Sequence, residues 1–518
     1  MVRCSCRTTG QEGATGPCFV PPDPSIMALL FAEYLRARKG KKMTFQQYLV
    51  SIGYTDPSVN EDGMDDAIRF RGGPAGLERI AVPMQPVKGK LVVKVLLVDF
   101  SDRPGTLPKE HYEDLLFSKA TYPTGSMRDY FKEVSLGKVD ITGAVHGWLR
   151  MPNPYSFYTH GESGTRWQSY PHNAPRLAED AVQVALQNGV AFGPELDKLR
   201  QGIVTALFII HAGRGAEVMP PSLRGQEIWS HKWVMRNPVN VGTSLNTTIY
   251  LTVPHDCKLG VCAHELGHLA FQWQDFYDPN YDDDGKWWDG SGLWDLMAGG
   301  SYNGSGTSPA HPAGLHKVQH GWIKLSTVKK SRALTLRPYT AKSGRAYKIV
   351  SPAYSSKQYL LLENRSKRGF DFHVPGEGLL VWCVDEAGEQ EAPDKPGLML
   401  VQADGKHQLD DPRDWNQGDA GDPFPGTGKI DKLSDAGGIS TTFPNCAKSG
   451  VVLTNIRHDP ATGIIKLSVK VAAAALGPSG ALRRAKAKRK AKGMGVGKRQ
   501  SAAKSTVHAK RMVRRRAK

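Results

Sequence analysis

Residues 264 to 268 read His-Glu-Leu-Gly-His, and no other string in this chain restricts its fold as tightly. A helix repeats every 3.6 residues, so His264 and His268 share one face, a turn apart, if the segment is helical. Two imidazoles at that spacing can hold one zinc ion. Glu265, beside the first, can lean over a metal-bound water and take its proton. Zinc lowers the pKa of bound water to about 7, so hydroxide is available at neutral pH. The string therefore asks for a helix with a metal-facing side and points to amide-bond hydrolysis. The ordinary alternative is a polar helix whose two histidines are merely hydrogen-bonded.

The flanks bear on that choice. Thr247 to Val253 is an apolar run that reads as a strand entering the site, and helical residues follow from about Leu259. Beyond the string, Gln274-Asp275-Phe276-Tyr277-Asp278 supplies carboxylates. A catalytic zinc takes three protein ligands and keeps one position open. Asp275 is the candidate third metal ligand and Asp278 the reserve. For either, the alternative is a solvated turn aspartate, and for Asp278 that alternative is preferred.

A chain of 518 residues is too long for one core. Its pattern reads as α+β in four parts. Residues 1–90 read as a prodomain-like helical segment and linker. Apolar Ile26, Leu29, Leu30 and Tyr34 follow Ser25 at helical spacing, and Thr44 with Gln47 forms a capping-box signature. Residues 91–325 carry buried-strand runs at Leu91–Phe100 and Gly202–His211, a helix near Ala178–Gln187, and then the zinc string. Residues 326–471 are β-rich, with short segments such as Tyr359–Glu363, Gly378–Val384 and Leu398–Gln402, and suggest an antiparallel sandwich. Residues 472–518 form a Lys/Arg/Ala-rich tail.

The formal charge of +18 belongs to that tail. From Ala481 to Lys518 there are 16 Lys or Arg and no Asp or Glu, which leaves 52 basic and 50 acidic residues in the other 480. The body is thus electrically ordinary. The tail reads as disordered and able to bind polyanions nonspecifically, with strong salt dependence; its alternative is a solvating appendage without a dedicated partner. No secretory signal is legible: the first 20 residues contain Arg3 and Arg7 but no apolar core. The run Ile26 to Ala32 is far short of a membrane span of about 20 residues. The compartment and oligomeric state are not readable.

Seven cysteines cannot all pair within one chain. Cys257 and Cys262 bracket a short loop before the zinc string. They can pair as a loop disulfide or stay as thiols, according to compartment. Cys18, in the prodomain-like region, is a candidate thiolate ligand for a latent form of the metal site.

Several segments together resemble the immune inhibitor A family of zinc metalloproteases, whose catalytic domain is metzincin-like. They are Gly125-Ser126-Met127-Arg128-Asp129-Tyr130 with the following FKEVSLGKVDITG, HAGRGAE at 211–217, IWSHKW at 228–233, HELGHLAFQWQDFYD at 264–278 and WDLMAGGSY at 294–302. LLLENRSKRGFD, GEGLLVWCVDE, VQADGK and GDAGDPFPG at 418–426 follow in order, so the resemblance runs from about residue 15 to 470. It implies a zinc endopeptidase acting on protein or peptide substrates, with His264 and His268 as ligands and Glu265 as general base and acid. It also implies that Met297 forms the methionine turn, a tight loop that places a thioether under the metal. The sequence departs from the short metzincin spacing, which has glycine three residues after the second histidine: that place is Phe271, and Gln272 takes the neighbouring one. The family is commonly secreted.

Other polar groups carry weaker readings. Tyr302, after the methionine turn, is a candidate oxyanion stabiliser whose alternative is packing. Asn280, Asp282, Asp284 and Gly285 imitate the start of a calcium loop, but the twelfth position is Ser291, where an EF-hand needs glutamate. A looser structural Ca2+ site then competes with a solvated acidic loop. His231, His316 and His320 read as structural, and no residue is assigned to an organic cofactor. Two other functions compete with the peptidase: a noncatalytic protease-like binding protein, and a nucleic-acid-associated protein acting through its tail.

Overall fold

The computed structural model describes residues 18–54, 85–277, 289–340, 343–387, 397–411, 415–436, 439–443 and 448–472. Asp278, the Asn280–Gly285 loop, Cys4, Cys6, Cys446 and the basic tail lie outside the described residues. By contact the chain divides into residues 1–472 and 473–518.

The site is positioned by a six-stranded sheet. Its strands are β1 (Cys18–Phe19), β2 (Gly89–Asp99), β3 (Val139–Arg150), β4 (Leu207–His211), β5 (His231–Gly242) and β6 (Leu245–Pro254), in the order β1-β5-β6-β4-β2-β3. β3, β2, β4 and β6 run parallel. β5 turns back antiparallel on β6, and β1 is antiparallel to β5. Six residues of β2, Leu91, Val93 and Val95 to Val98, are fully buried hydrophobics, as a central parallel strand covered on both faces requires.

Among the described residues, two helices precede β2: α1 (Pro24–Ala37) and α2 (Phe45–Ser51). The Asp23 side chain caps α1, with Pro24 at its first position, so the helix starts ahead of Ser25. Its buried face is Met27, Leu30 and Tyr34, while Leu29 is 64% exposed. The expected apolar stripe is thus turned by part of a helical step. The Thr44–Gln47 capping box forms at α2. Next come α3 (Lys109–Phe117), α4 (Met127–Val134), α5 (Tyr155–Thr159), α6 (Ala174–Gln187), α7 (Pro221–Arg224), α8 (Leu259–Phe271) and α9 (Gly314–Gln319). α8 contains the zinc string and is buried at every position.

The remaining strands are β7 (Lys324–Val328), β8 (Arg332–Leu336), β9 (Arg345–Ile349), β10 (Gln358–Arg365), β11 (Gly378–Asp385), β12 (Leu398–Leu400), β13 (Leu433–Ser434), β14 (Val451–Asp459) and β15 (Ile464–Val471). They form a five-stranded sheet, β12-β11-β10-β9-β7, and a four-stranded sheet, β13-β14-β15-β8. Leu360, Leu362, Val381, Leu453, Ile465 and Leu467, from both sheets, share one core. The expectation of a wholly antiparallel region is corrected at β7, which pairs parallel with β9. The chain leaves the first sheet for the second at β8 and returns beside its starting strand, and such a crossover makes the neighbours parallel.

Candidate metal centre

α8 begins where β6 ends, after a short link anchored by the Tyr112 hydroxyl donating to the His255 carbonyl (2.9 Å). Within α8 the spacing of four places both imidazoles together: their Nε2 atoms are 3.1 Å apart. The helix then ends at Gln272, which takes a left-handed conformation (φ 56°, ψ 38°). Glycine favours that conformation at a helix C-terminus, and here glutamine adopts it. Reversal at Gln272 brings Asp275 back over the helix, with its Oδ1 3.2 Å from Nε2 of His264 and of His268. The ligand atoms of these three residues lie within 4.8 Å of one another, and all three side chains are buried.

The hydrogen bonds fix the chemistry of this triangle. Nδ1 of His264 is 2.8 Å from the Leu296 carbonyl, and Nδ1 of His268 is 2.8 Å from the Trp273 carbonyl. A carbonyl only accepts, so each Nδ1 carries the proton and each Nε2 presents a lone pair. Those lone pairs face each other, and His264 Nε2 also faces the Phe19 carbonyl at 3.2 Å. Neither Asp275 oxygen has a properly directed hydrogen bond, despite the short approach to both rings. A buried set of converging acceptors fits a divalent cation, and two imidazoles with one carboxylate suit zinc or a similar transition ion. Burial alone would lower His264 and raise Asp275. The neighbouring charges outweigh it: His268, then His264, hold the Asp275 carboxyl below its ordinary range, and Asp275 holds His264 above its own. For His268 burial prevails and the value falls.

Glu265 is fully buried, and neither carboxylate oxygen has a hydrogen-bond partner among the described residues. Burial, then the Asp275 charge, pushes it well above the usual carboxylate range. Met297 is buried beneath α8: a Cβ placed on Gly267 would lie 2.8 Å from its Sδ, so the string's glycine lets the thioether approach. The turn is held by Asp295, whose buried carboxylate accepts from the Met297 and Ala313 amides and from the Ser291 hydroxyl. Sequence reasoning missed Asp295, although it stands in the quoted WDLMAGG segment. The Leu296 and Trp273 carbonyls were also missed, because backbone acceptors leave no mark on residue type.

His316 stacks on Trp273 with the rings 6° from parallel, and His320 Nε2 lies 3.1 Å from the Phe271 carbonyl. Both sit in the packing behind the site. His231 holds the Trp229 carbonyl through Nδ1.

The N-terminal segment crosses the centre. Cys18 and Phe19 pair with Lys232 and His231, and the Tyr277 hydroxyl donates to the Phe19 carbonyl at 2.7 Å. Trp229 Nε1 donates to the Val20 carbonyl, and the Tyr302 hydroxyl donates to the Pro21 carbonyl at 2.6 Å. Cys18 does not join the triangle of ligand atoms. The expected approach of its thiol is corrected, since the group facing His264 is the backbone carbonyl of the next residue.

Residues 93–328 match the immune inhibitor A peptidase M6, catalytic domain. The resemblance to the immune inhibitor A family holds. Immune inhibitor A of Bacillus thuringiensis subsp. alesti is 29% identical over 282 residues, covering 44% of this chain and 40% of that protein. The pre-pro-metalloprotease PrtV of Vibrio cholerae serotype O1 (strain M66-2) is 30% identical over 264 residues, covering 42% of this chain and 28% of that protein. The chain thus aligns with less than half the length of either relative. Among the described residues, no helix is long and apolar enough to cross a membrane.

Proposed function

We propose that this protein is a zinc endopeptidase in which His264, His268 and Asp275 hold the metal and Glu265 moves the proton. The observation that carries the reading is the buried triangle of converging lone pairs, with Glu265 on the same helix, whose carboxylate has no hydrogen-bond partner among the described residues. It lies in a segment that matches a peptidase catalytic domain. A bound zinc would supply Lewis-acid polarisation of the scissile carbonyl and of water. Glu265 accepts the water's proton and returns it to the leaving amine, a role suited to a carboxylate that its surroundings make more basic. Tyr302 is the proposed oxyanion donor, and its hydroxyl already donates to a backbone carbonyl beside the centre. Met297 supports the helix from below and takes no part in proton transfer.

Protein or peptide substrates would lie extended along β5. β1 supports this, because it adds a strand to that edge by main-chain pairing, a recognised way of holding extended peptides. On this reading residues 18–54 act as a prodomain, and the Phe19 carbonyl stands where a substrate group would meet the metal. Asp278 as a ligand and a separate Ca2+ site remain proposals from sequence alone. Polyanion binding by the tail has the same standing.

The deciding experiment compares wild type with Glu265→Gln for metal content and casein cleavage. The variant should retain the metal and lose at least about 100-fold in turnover, the lower end for losing a general acid–base group. Cleavage of casein at the wild-type rate would defeat the assignment.

A further inference from the structure

α8 begins at Leu259, with Lys258 as its N-cap, and the Lys258 side chain makes no capping hydrogen bond. Cys257 therefore occupies the position just before the cap, and Cys262 the fourth helical position. Side chains at these two places meet across a helix's first turn, where two apolar residues commonly pack as a staple. Here both are cysteines. They are buried, at 7% and 0% exposure, and share one hydrophobic core; the neighbouring Cys262, then burial, pushes the Cys257 thiol up. Cys257 also lines a cavity of about 160 Å3 with Asp256, Lys258 and Tyr122.

We propose that Cys257 and Cys262 are a disulfide-forming pair, a covalent staple on the first turn of the helix that carries His264 and His268. The oxidant is a small-molecule disulfide such as oxidised glutathione. The Cys257 thiolate attacks one of its sulfurs; an S–S bond forms, and one glutathione thiolate leaves. The Cys262 sulfur then attacks Cys257 Sγ, and the second glutathione thiolate leaves. The two cysteines lose two electrons and two protons, and the oxidant becomes two thiols. The bond closes a loop of six residues and fixes the helix start where the side-chain cap is missing. The pairing does not depend on the metal or on peptidase activity.

Trypsin cuts after Lys258, between the two cysteines, so it reports the bond directly. Folded full-length protein is incubated with oxidised glutathione, its remaining thiols are alkylated, and it is digested without reductant. We expect the Cys257 and Cys262 peptides to be recovered as one joined mass that separates on reduction. The oxidised protein should melt several degrees above the reduced protein, and Cys257→Ser/Cys262→Ser should lose that dependence on reductant. Recovery of the two peptides separately alkylated, carrying glutathione, or joined to other cysteines would overturn the proposal. Should the double variant fail to fold, the peptide map of the wild type still decides.

Discussion

At the scale of single residues, the third ligand and one buried acid give the sharpest tests. Asp275 Oδ1 sits 3.2 Å from Nε2 of both His264 and His268. Asp275→Asn should therefore lower metal content after dialysis, while Asp278→Asn should leave it near the wild-type level; elemental analysis of both variants checks this. The reverse pattern would give the ligand to Asp278. Glu217 is buried and accepts from the Ser230 amide and hydroxyl. Burial, partly offset by those bonds, pushes its carboxyl up to about 7 from an ordinary 4.5. The folded protein then binds this proton more tightly than the unfolded chain does. Its stabilising effect is complete below about pH 4.5 and is lost as pH rises through about 7. Glu217→Gln should remove that loss, up to about 3 kcal/mol on the alkaline side. Urea midpoints at pH 5 and pH 8 measure it, and an unchanged fall in the variant would mean that Glu217 does not titrate in this range.

The elements differ in how much of themselves the sequence displays. α8 begins at Leu259 as its pattern implies, and the α2 capping box is present, because both signals are local. β5 escaped notice: only its first five residues are buried, and Pro238 interrupts the rest. β3 alternates imperfectly and contains Gly143 and Gly147. Leu29 and Leu30 look equivalent in sequence, and only packing against α2 decides which is buried. The approach of His264, His268 and Asp275 to one another was legible because two of them share a helix and the third follows the chain reversal after it. The carbonyls that orient the imidazoles are backbone groups, without a residue-type signal, and the Leu296 carbonyl and the strand that crosses the centre reach it from far away in sequence. Helix packing also yields a prediction. Gly267→Ala would force a methyl against Met297 Sδ and the Trp273 ring, at 2.8 and 2.9 Å. It should cost about 1–3 kcal/mol of stability, as overpacking commonly does. Thermal melts of the metal-free protein test this apart from metal loss, and an unchanged midpoint would show that Met297 yields freely.

At the scale of the whole molecule, α1 and α2 and the chain before them join parts of the fold that are far apart in sequence. Tyr54 lies under the Arg224 guanidinium at 4.6 Å, and Phe45 meets Trp415 edge-on at 6.2 Å. On the prodomain reading, cleavage after Tyr54 followed by release of the fragment should raise casein turnover. Activity unaffected by that release would argue that residues 18–54 are a permanent part of the fold.

Release would also leave the N–H and C=O groups on the outer side of β5 without their present strand. A bare sheet edge accepts any extended chain, including that of a neighbouring copy. The property that would let this edge take substrate would then make the opened protein prone to self-association. On the prodomain reading, the two residues of β1 would therefore also shield that edge from such pairing for as long as they remain in place.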